Sequence, residues 1–441
     1  MKVPHHTLRR EIHGVPVFLE QSVALPLVTV TVARRGGATL DPGGNEGASR
    51  LLSRLSRRTA GGREFQAIEE ELDRLGASLG SDVSYSSIAL SGATIARSVE
   101  PFVALVADAA GRPSLDPNEF ERLRRETRAE IVEGLDNDRA LAHRALRRVL
   151  YPNHPYSRTA SGTLSSIERV AYPALLQHDE LTRRRDNLVL GMSGDIDEDA
   201  ALRLAEQIIS AVPETPSETN VLEDPTIPPG RRLVIVDKPD RAQTQILIGL
   251  DGAKSSDPDH TALHVAMTVF GGTFSSRLMQ QIRVERGWSY GAYATLPIDQ
   301  CRQSLTLWTF PSKDDAAACI RLKLELLEAL VERGITAREL AFARKSLIRS
   351  HAFSIDTASK RLGLALDTSL MNLPDDYYDG YERRVAAVTL DDTAAALRQR
   401  IDPTKLVIAV VGSAKELEPQ LRAAVPDIQS VEVIPFDSPD L

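Results

Sequence analysis

The chain is written twice. Val15 opens VPVFLEQSVALPLVTVTV and Leu233 opens LVIVDKPDRAQTQILIGL, each an apolar strand, a polar turn and a second strand. Asn187 opens NLVLGMSGDI and Lys405 opens KLVIAVVGSAK, each a late apolar strand that ends at a glycine, Gly194 and Gly412. Both pairs lie 218 residues apart. Two matches at one offset, at opposite ends of each half, indicate a duplicated domain. A chain of 441 residues is also too long for one core and is expected to divide. Between the copies runs PETPSETNVLEDPTIPPG, whose prolines disfavour helix and central strand alike. The expected organisation is therefore a first domain at 1–212, a linker at 213–230 and a second domain at 231–441.

Each half reads as strands, then amphipathic helices, then strands again. In the first half EFQAIEEELDRLGASLG is a helix that stops near Gly76, SYSSIALSGATI alternates as a strand does, and DPNEFERLRRETRAEIVEGL opens a long helix at an Asp-Pro start signal. Runs of strands with segregated helices indicate an α+β fold, not a doubly wound parallel sheet.

Composition mainly excludes. The net charge of −8 argues against general binding to nucleic acid or to anionic membranes. No apolar run approaches the roughly 20 residues of a membrane span. Cys301 and Cys319 form neither a CxxC pair nor a disulfide framework. The opening MKVPHHTLRR has no apolar signal core. The expected location is cytoplasmic, or periplasmic if a signal peptide was removed ahead of this numbering.

One helix poses a problem. GASRLLSRLSRRT places Arg50, Arg54, Arg57 and Arg58 on one face and Leu51, Leu52 and Leu55 on another. Four guanidiniums on one stripe need solvent, acidic partners or an anion.

At these residues the chain resembles the pitrilysin, insulysin and mitochondrial processing peptidase family of zinc peptidases. The resemblance runs through GASRLLSRL, LDRLGASLGSDVSYSSIAL, ETRAEIVEG, YPNHPYSRTASGTLSSI and FGGTFSSRLMQQIRVERGWSYGAYA. It implies duplicated domains with antiparallel-rich mixed sheets, helices packed on one face, and half of a clamshell chamber. Active members of that family carry H-x-x-E-H on this helix: two zinc-binding histidines around a general base, with a glutamate further on as third ligand. The matching positions here are Arg50, Ser53 and Arg54, with Glu130 at the third-ligand position. Arginine has no lone pair to donate and repels a cation. The resemblance thus implies no cofactor in this chain. It also suggests Glu130 as partner of Arg50 or Arg54; a solvated basic face without a role is the alternative.

The second half keeps what the first has lost. IRVERGWSY matches a family arginine–tyrosine pair seven residues apart, at Arg283 and Tyr290. In active enzymes such a pair reaches across to the zinc site and stabilises the oxyanion of the peptide under attack. The resemblance implies a non-catalytic subunit of a heterodimeric zinc peptidase. Its partner would be an H-x-x-E-H-bearing homologue that carries the zinc, and its substrates peptides. A scaffold or peptide-binding protein without a part in catalysis is the alternative. Two further stretches carry less. His260 and His264 in DHTALH have helical metal-site spacing but no third ligand, so a partly exposed helix is expected. GGTFSSRL lacks a Walker lysine and reads as a tight turn into a helix.

Overall fold

A computed structural model describes residues 7–215 and 222–441. The strands of the repeat all form. The first sheet contains β1 (Leu8–Ile12), β2 (Val15–Gln21), β3 (Leu27–Arg35), β4 (Ser78–Val83), β5 (Ser87–Ile95) and β6 (Leu188–Gly194), in the order β1-β2-β6-β3-β5-β4. The second contains β7 (Arg231–Asp237), β8 (Gln245–Leu250), β9 (Ala292–Thr295), β10 (Leu305–Thr309), β11 (Leu406–Gly412) and β12 (Ile428–Pro435), in the order β12-β7-β11-β8-β10-β9. Five strands correspond one to one: β2 to β7, β6 to β11, β3 to β8, β5 to β10 and β4 to β9. The β2–β6 and β7–β11 pairs are parallel, and the pairs from there to the β4 or β9 edge are antiparallel. The repeat is therefore a repeat of topology. The copies differ at the outer strand, where β1 joins β2 antiparallel and β12 joins β7 parallel.

The chain divides into two compact units, and neither is continuous in sequence. One comprises Met1–Ile131, Thr159–Val221 and Ala352–Asp375; the other comprises Val132–Arg158, Leu222–His351 and Asp376–Leu441. Of the expected linker at 213–230, residues 216–221 lie outside the described residues.

The strand period of two explains how each sheet is covered. In the first unit Val17, Leu19, Val30, Val32, Leu190 and Met192 point into the main core, beneath the helices Val99–Gly111 and Glu198–Ala211. The alternate residues Phe18, Ala33 and Val189 point the other way and meet Leu362, Leu366 and Leu370 of the helix Ala358–Leu370. The second unit repeats this device, with the helix Asp138–Leu150 against β7, β8 and β11. The main helical layer thus lies on one face of each sheet, as expected, and one further helix covers the opposite face.

A glycine makes room for each of these further helices. A Cβ at Gly191 would lie 2.9 Å from Leu362 Cδ1, and one at Gly249 would lie 2.9 Å from Leu146 Cδ1. Asn137 and Thr357 cap the two helices through their side chains. No helix among the described residues is long and apolar enough to cross a membrane. Cys301 and Cys319 are free and buried.

Candidate functional site

The arginine face belongs to the helix Ala48–Arg58. Leu51, Leu52 and Leu55 are fully buried with Phe120, Leu123 and Leu175, which fixes how the helix is rotated. Its first turn is held by Asp41, whose carboxylate accepts from Gly47 N at 2.7 Å and Ser49 N at 2.8 Å. Burial pushes the Asp41 carboxyl up to about 6. His178 meets Ser49 Oγ at 2.9 Å through Nε2, and burial lowers its pKa to about 4.

The arginines then meet the helix Pro117–Glu133. Arg50 Nη2 lies 3.0 Å from Glu130 Oε2, and Arg54 Nη2 lies 2.9 Å from Glu130 Oε1. Arg54 Nη1 also donates to Thr127 Oγ1 at 3.1 Å. Arg58 bonds Glu126 at 2.6 Å and Glu119 at 3.2 Å. As the arginine number rises the glutamate number falls, so the two helices run antiparallel and close like a zipper. Arg57 turns aside to Glu69 at 2.6 Å. The hydrogen bond from Arg58, backed by the charges of Arg122 and Arg54, holds the Glu126 carboxyl below the usual range. The motif position between the arginines, Ser53, is fully buried, and its hydroxyl has no hydrogen-bond partner among the described residues.

The structure therefore brings Arg50, Arg54 and Glu130 together. They line a cleft of about 400 Å3 with Arg57 and the residues Leu79 to Val83 of the edge strand β4. This donor set does not fit zinc. The one carboxylate is engaged by two guanidiniums, and no imidazole stands at either motif position. Among the described residues no group of three His, Cys, Asp or Glu side chains is placed to hold a metal.

Glu126 and Glu119 were not singled out by the sequence, in which DPNEFERLRRETRAE reads as a solvated face. The signal was their spacing. Glu119, Glu126 and Glu130 stand at i, i+7 and i+11, one stripe of a helix.

In the second unit Arg283 leaves the π-helical turn Met279–Val284, and Tyr290 stands just before β9. The Arg283 guanidinium carbon lies 4.2 Å from the Tyr290 ring centroid and 5.4 Å from that of Phe274. Tyr290 is 71% exposed. Among the described residues no carboxylate pairs with Arg283. Glu285 instead accepts from Gln281 at 2.7 Å and lies 3.6 Å from Arg286. Phe274 escaped notice in sequence because its stretch reads as a turn.

The DHTALH helix is less exposed than expected. His260 is buried, and His260 and His264 face the hydroxyls of Tyr377 and Tyr381 at 3.5 and 3.3 Å. Asp259, the residue before this helix, makes no side-chain cap and instead takes two bonds of 2.7 Å from Arg400.

The architecture is two copies of one α+β unit, the first carrying a cleft closed by the pairs of Arg50 and Arg54 with Glu130. Comparison with known proteins gives the family. Residues 17–164 match the model described as "Insulinase (Peptidase family M16)", and residues 178–347 match "Peptidase M16 inactive domain". The chain belongs to the peptidase M16 family. It is 22% identical over 405 residues to the "Non-peptidase homolog YmxG" of Helicobacter pylori, covering 91% of this chain and 93% of that protein. It is 25% identical over 406 residues to an "Uncharacterized zinc protease" of Mycobacterium bovis, covering 89% of each. Among solved structures, a peptidase M16 inactive domain from Pseudomonas fluorescens superposes with a TM-score of 0.85 at 23% identity, covering 92% of this chain and 98% of that one.

Proposed function

We propose that this protein is the non-catalytic subunit of a heterodimeric zinc metallopeptidase. It binds peptide and presents Arg283 and Tyr290 to the zinc site of an H-x-x-E-H-bearing homologue. The observation that carries this reading is the state of Arg283: a partly exposed guanidinium beside an exposed phenol, with no carboxylate among the described residues to neutralise it. An arginine kept for stability alone is usually paired, as Arg50, Arg54 and Arg58 are in this same chain. The same contrast supports the division of labour. The former metal positions are sealed by ion pairs, and the oxyanion donors are left open.

A guanidinium and a phenol aimed at developing negative charge stabilise it without accepting a proton, so this chain needs no base of its own. The zinc, held by the partner, supplies the activated water. The family's naming of this chain's relatives fits: one is called a non-peptidase homolog and others zinc proteases.

The test uses this chain with the H-x-x-E-H homologue from the same source. Arg283→Ala with Tyr290→Phe is expected to lower peptide turnover by the pair roughly 100-fold or more, because each oxyanion donor is worth about 3–4 kcal/mol. Assembly, followed by analytical ultracentrifugation, is expected to be unchanged. Loss of assembly in step with loss of turnover would assign the two residues to the interface and favour a scaffold.

A further inference from the structure

The surroundings of Arg283 are more built than a half-buried surface arginine requires. Thr268–Gly272 and Met279–Val284 are both π-helical turns, a rare geometry found disproportionately at functional sites. Gly271 is pressed against β9: a Cβ there would stand 2.4 Å from Ala294 N, so the turn is pinned to the strand. Thr273 then leaves in an extended conformation, and Phe274 emerges 65% exposed. On the other side of Arg283, Gly287 takes a left-handed φ of +66. Its N–H donates to Arg283 O at 3.1 Å, and Trp288 N–H donates to Ile282 O at 3.0 Å. The chain reverses there. Buried Ser289 fixes the reversal, accepting from Phe310 N at 3.2 Å and donating to Gly291 O at 2.9 Å. Tyr290 is thereby set over Arg283.

Arginine has many rotamers, and a free one wanders. A carboxylate would fix this guanidinium but would also neutralise it and occupy its N–H edge. An aromatic ring fixes a guanidinium differently. The ring quadrupole attracts the flat face of the cation and leaves the in-plane N–H groups open.

We infer that Phe274 is a positioning residue for Arg283: with Tyr290 it holds the guanidinium by its face, so that its N–H edge stays free for an oxygen of the bound peptide. The inference rests on the reading above, in which Arg283 meets a peptide oxygen at the partner's zinc, and it adds a third side chain to that pair. Phe274 comes from the turn before the π-helix, so the three residues arrive from three separate backbone segments of one unit. It touches no reacting atom itself.

The first test needs this chain alone. The side-chain Nε–Cζ resonances of Arg283, assigned by their loss in Arg283→Ala, should carry a ring-current displacement. Phe274→Ala should move them toward the free-arginine position, and Phe274→Tyr should keep them displaced. Unmoved resonances in Phe274→Ala would overturn the clamp, whatever the activity does.

The second test uses the pair with the H-x-x-E-H homologue and a fluorogenic peptide. Phe274→Ala should lower kcat roughly two- to tenfold with KM little changed, and Phe274→Tyr should restore it. The same substitution in an Arg283→Ala background should cost nothing further, which a merely structural loss would not reproduce. If Arg283→Ala abolishes turnover while Phe274→Ala leaves it intact, the positioning role is overturned and the subunit's function stands. If neither substitution changes turnover although the resonances move, the function proposed for Arg283 fails, and the positioning role falls with it.

Discussion

At the scale of single residues, guanidinium–carboxylate pairs close the cleft. A zinc site binds two helices through one ion, whereas here the helices Ala48–Arg58 and Pro117–Glu133 are bound through charge pairs of unequal weight. Arg58 and Glu126 carry side chains only 11% and 33% exposed, against 41% and 42% for Arg50 and Glu130. Exposed pairs contribute about 0–1 kcal/mol, and better-shielded charge-assisted bonds contribute more. Glu126→Gln is therefore expected to destabilise the protein by about 1–2 kcal/mol, and Glu130→Gln by less than about 1, in urea unfolding at pH 7. The carboxyl of Glu126 is held below the ordinary glutamate range, so its stabilisation is present above that range and is lost as pH falls through the lower folded value. The difference between wild type and Glu126→Gln should shrink accordingly in acid. An undiminished difference there would mean that the substitution acts through packing.

At the scale of elements, the two sheets were legible and their outer helices were not. Strands betray themselves by apolar runs and by the repeat, and all four stretches compared at the 218-residue offset form strands in matching places. The helices Asp138–Leu150 and Ala358–Leu370 look like ordinary amphipathic segments in sequence. Nothing local says which sheet, or which face of it, each will cover. The clue lay in the sheets: Phe18, Ala33 and Val189 are apolar at positions where a one-faced sheet would show polar residues to water. Leu362 is 2% exposed against that face. Leu362→Ala should cost about 2–4 kcal/mol, read from chemical denaturation, because the cavity opens over Gly191, which has no side chain to fill it. A cost below about 1 kcal/mol would show that this helix is loosely held. The arginine–glutamate zipper was half legible. Glu130 could be picked out from its place in the family pattern, whereas Glu126 required knowing how far each helix is rotated.

At the scale of the whole molecule, buried and half-buried imidazoles set the response to acid. His178 and His260 are lowered to about 4 by burial, and His143 to about 4 by burial with the charges of Arg139 and Arg147. In the window from about 4 to 6.5 the unfolded chain binds more protons at these groups, so stability rises with pH there. Asp41, raised to about 6, acts in the opposite sense over part of the window. Burial raises the Asp251 carboxyl as well, but two carboxyls do not offset these three imidazoles joined by His154 and His264, which burial also lowers, so the urea midpoint is expected to fall as pH is lowered from 6.5 to 4. A flat or rising profile would contradict the neutral, buried state of these histidines.

Reconstituted cleavage tests the division of labour between the two chains. Turnover of a fluorogenic peptide would be measured for this protein, for the H-x-x-E-H homologue from the same source and for the two together, with zinc quantified on each purified chain. This chain is expected to be zinc-free and inert alone, and to raise strongly the cleavage rate of the zinc-loaded homologue. Zinc bound stoichiometrically to this chain, or cleavage by it alone, would contradict the account at the arginine-filled cleft. Failure to raise the homologue's activity would contradict it at Arg283 and Tyr290.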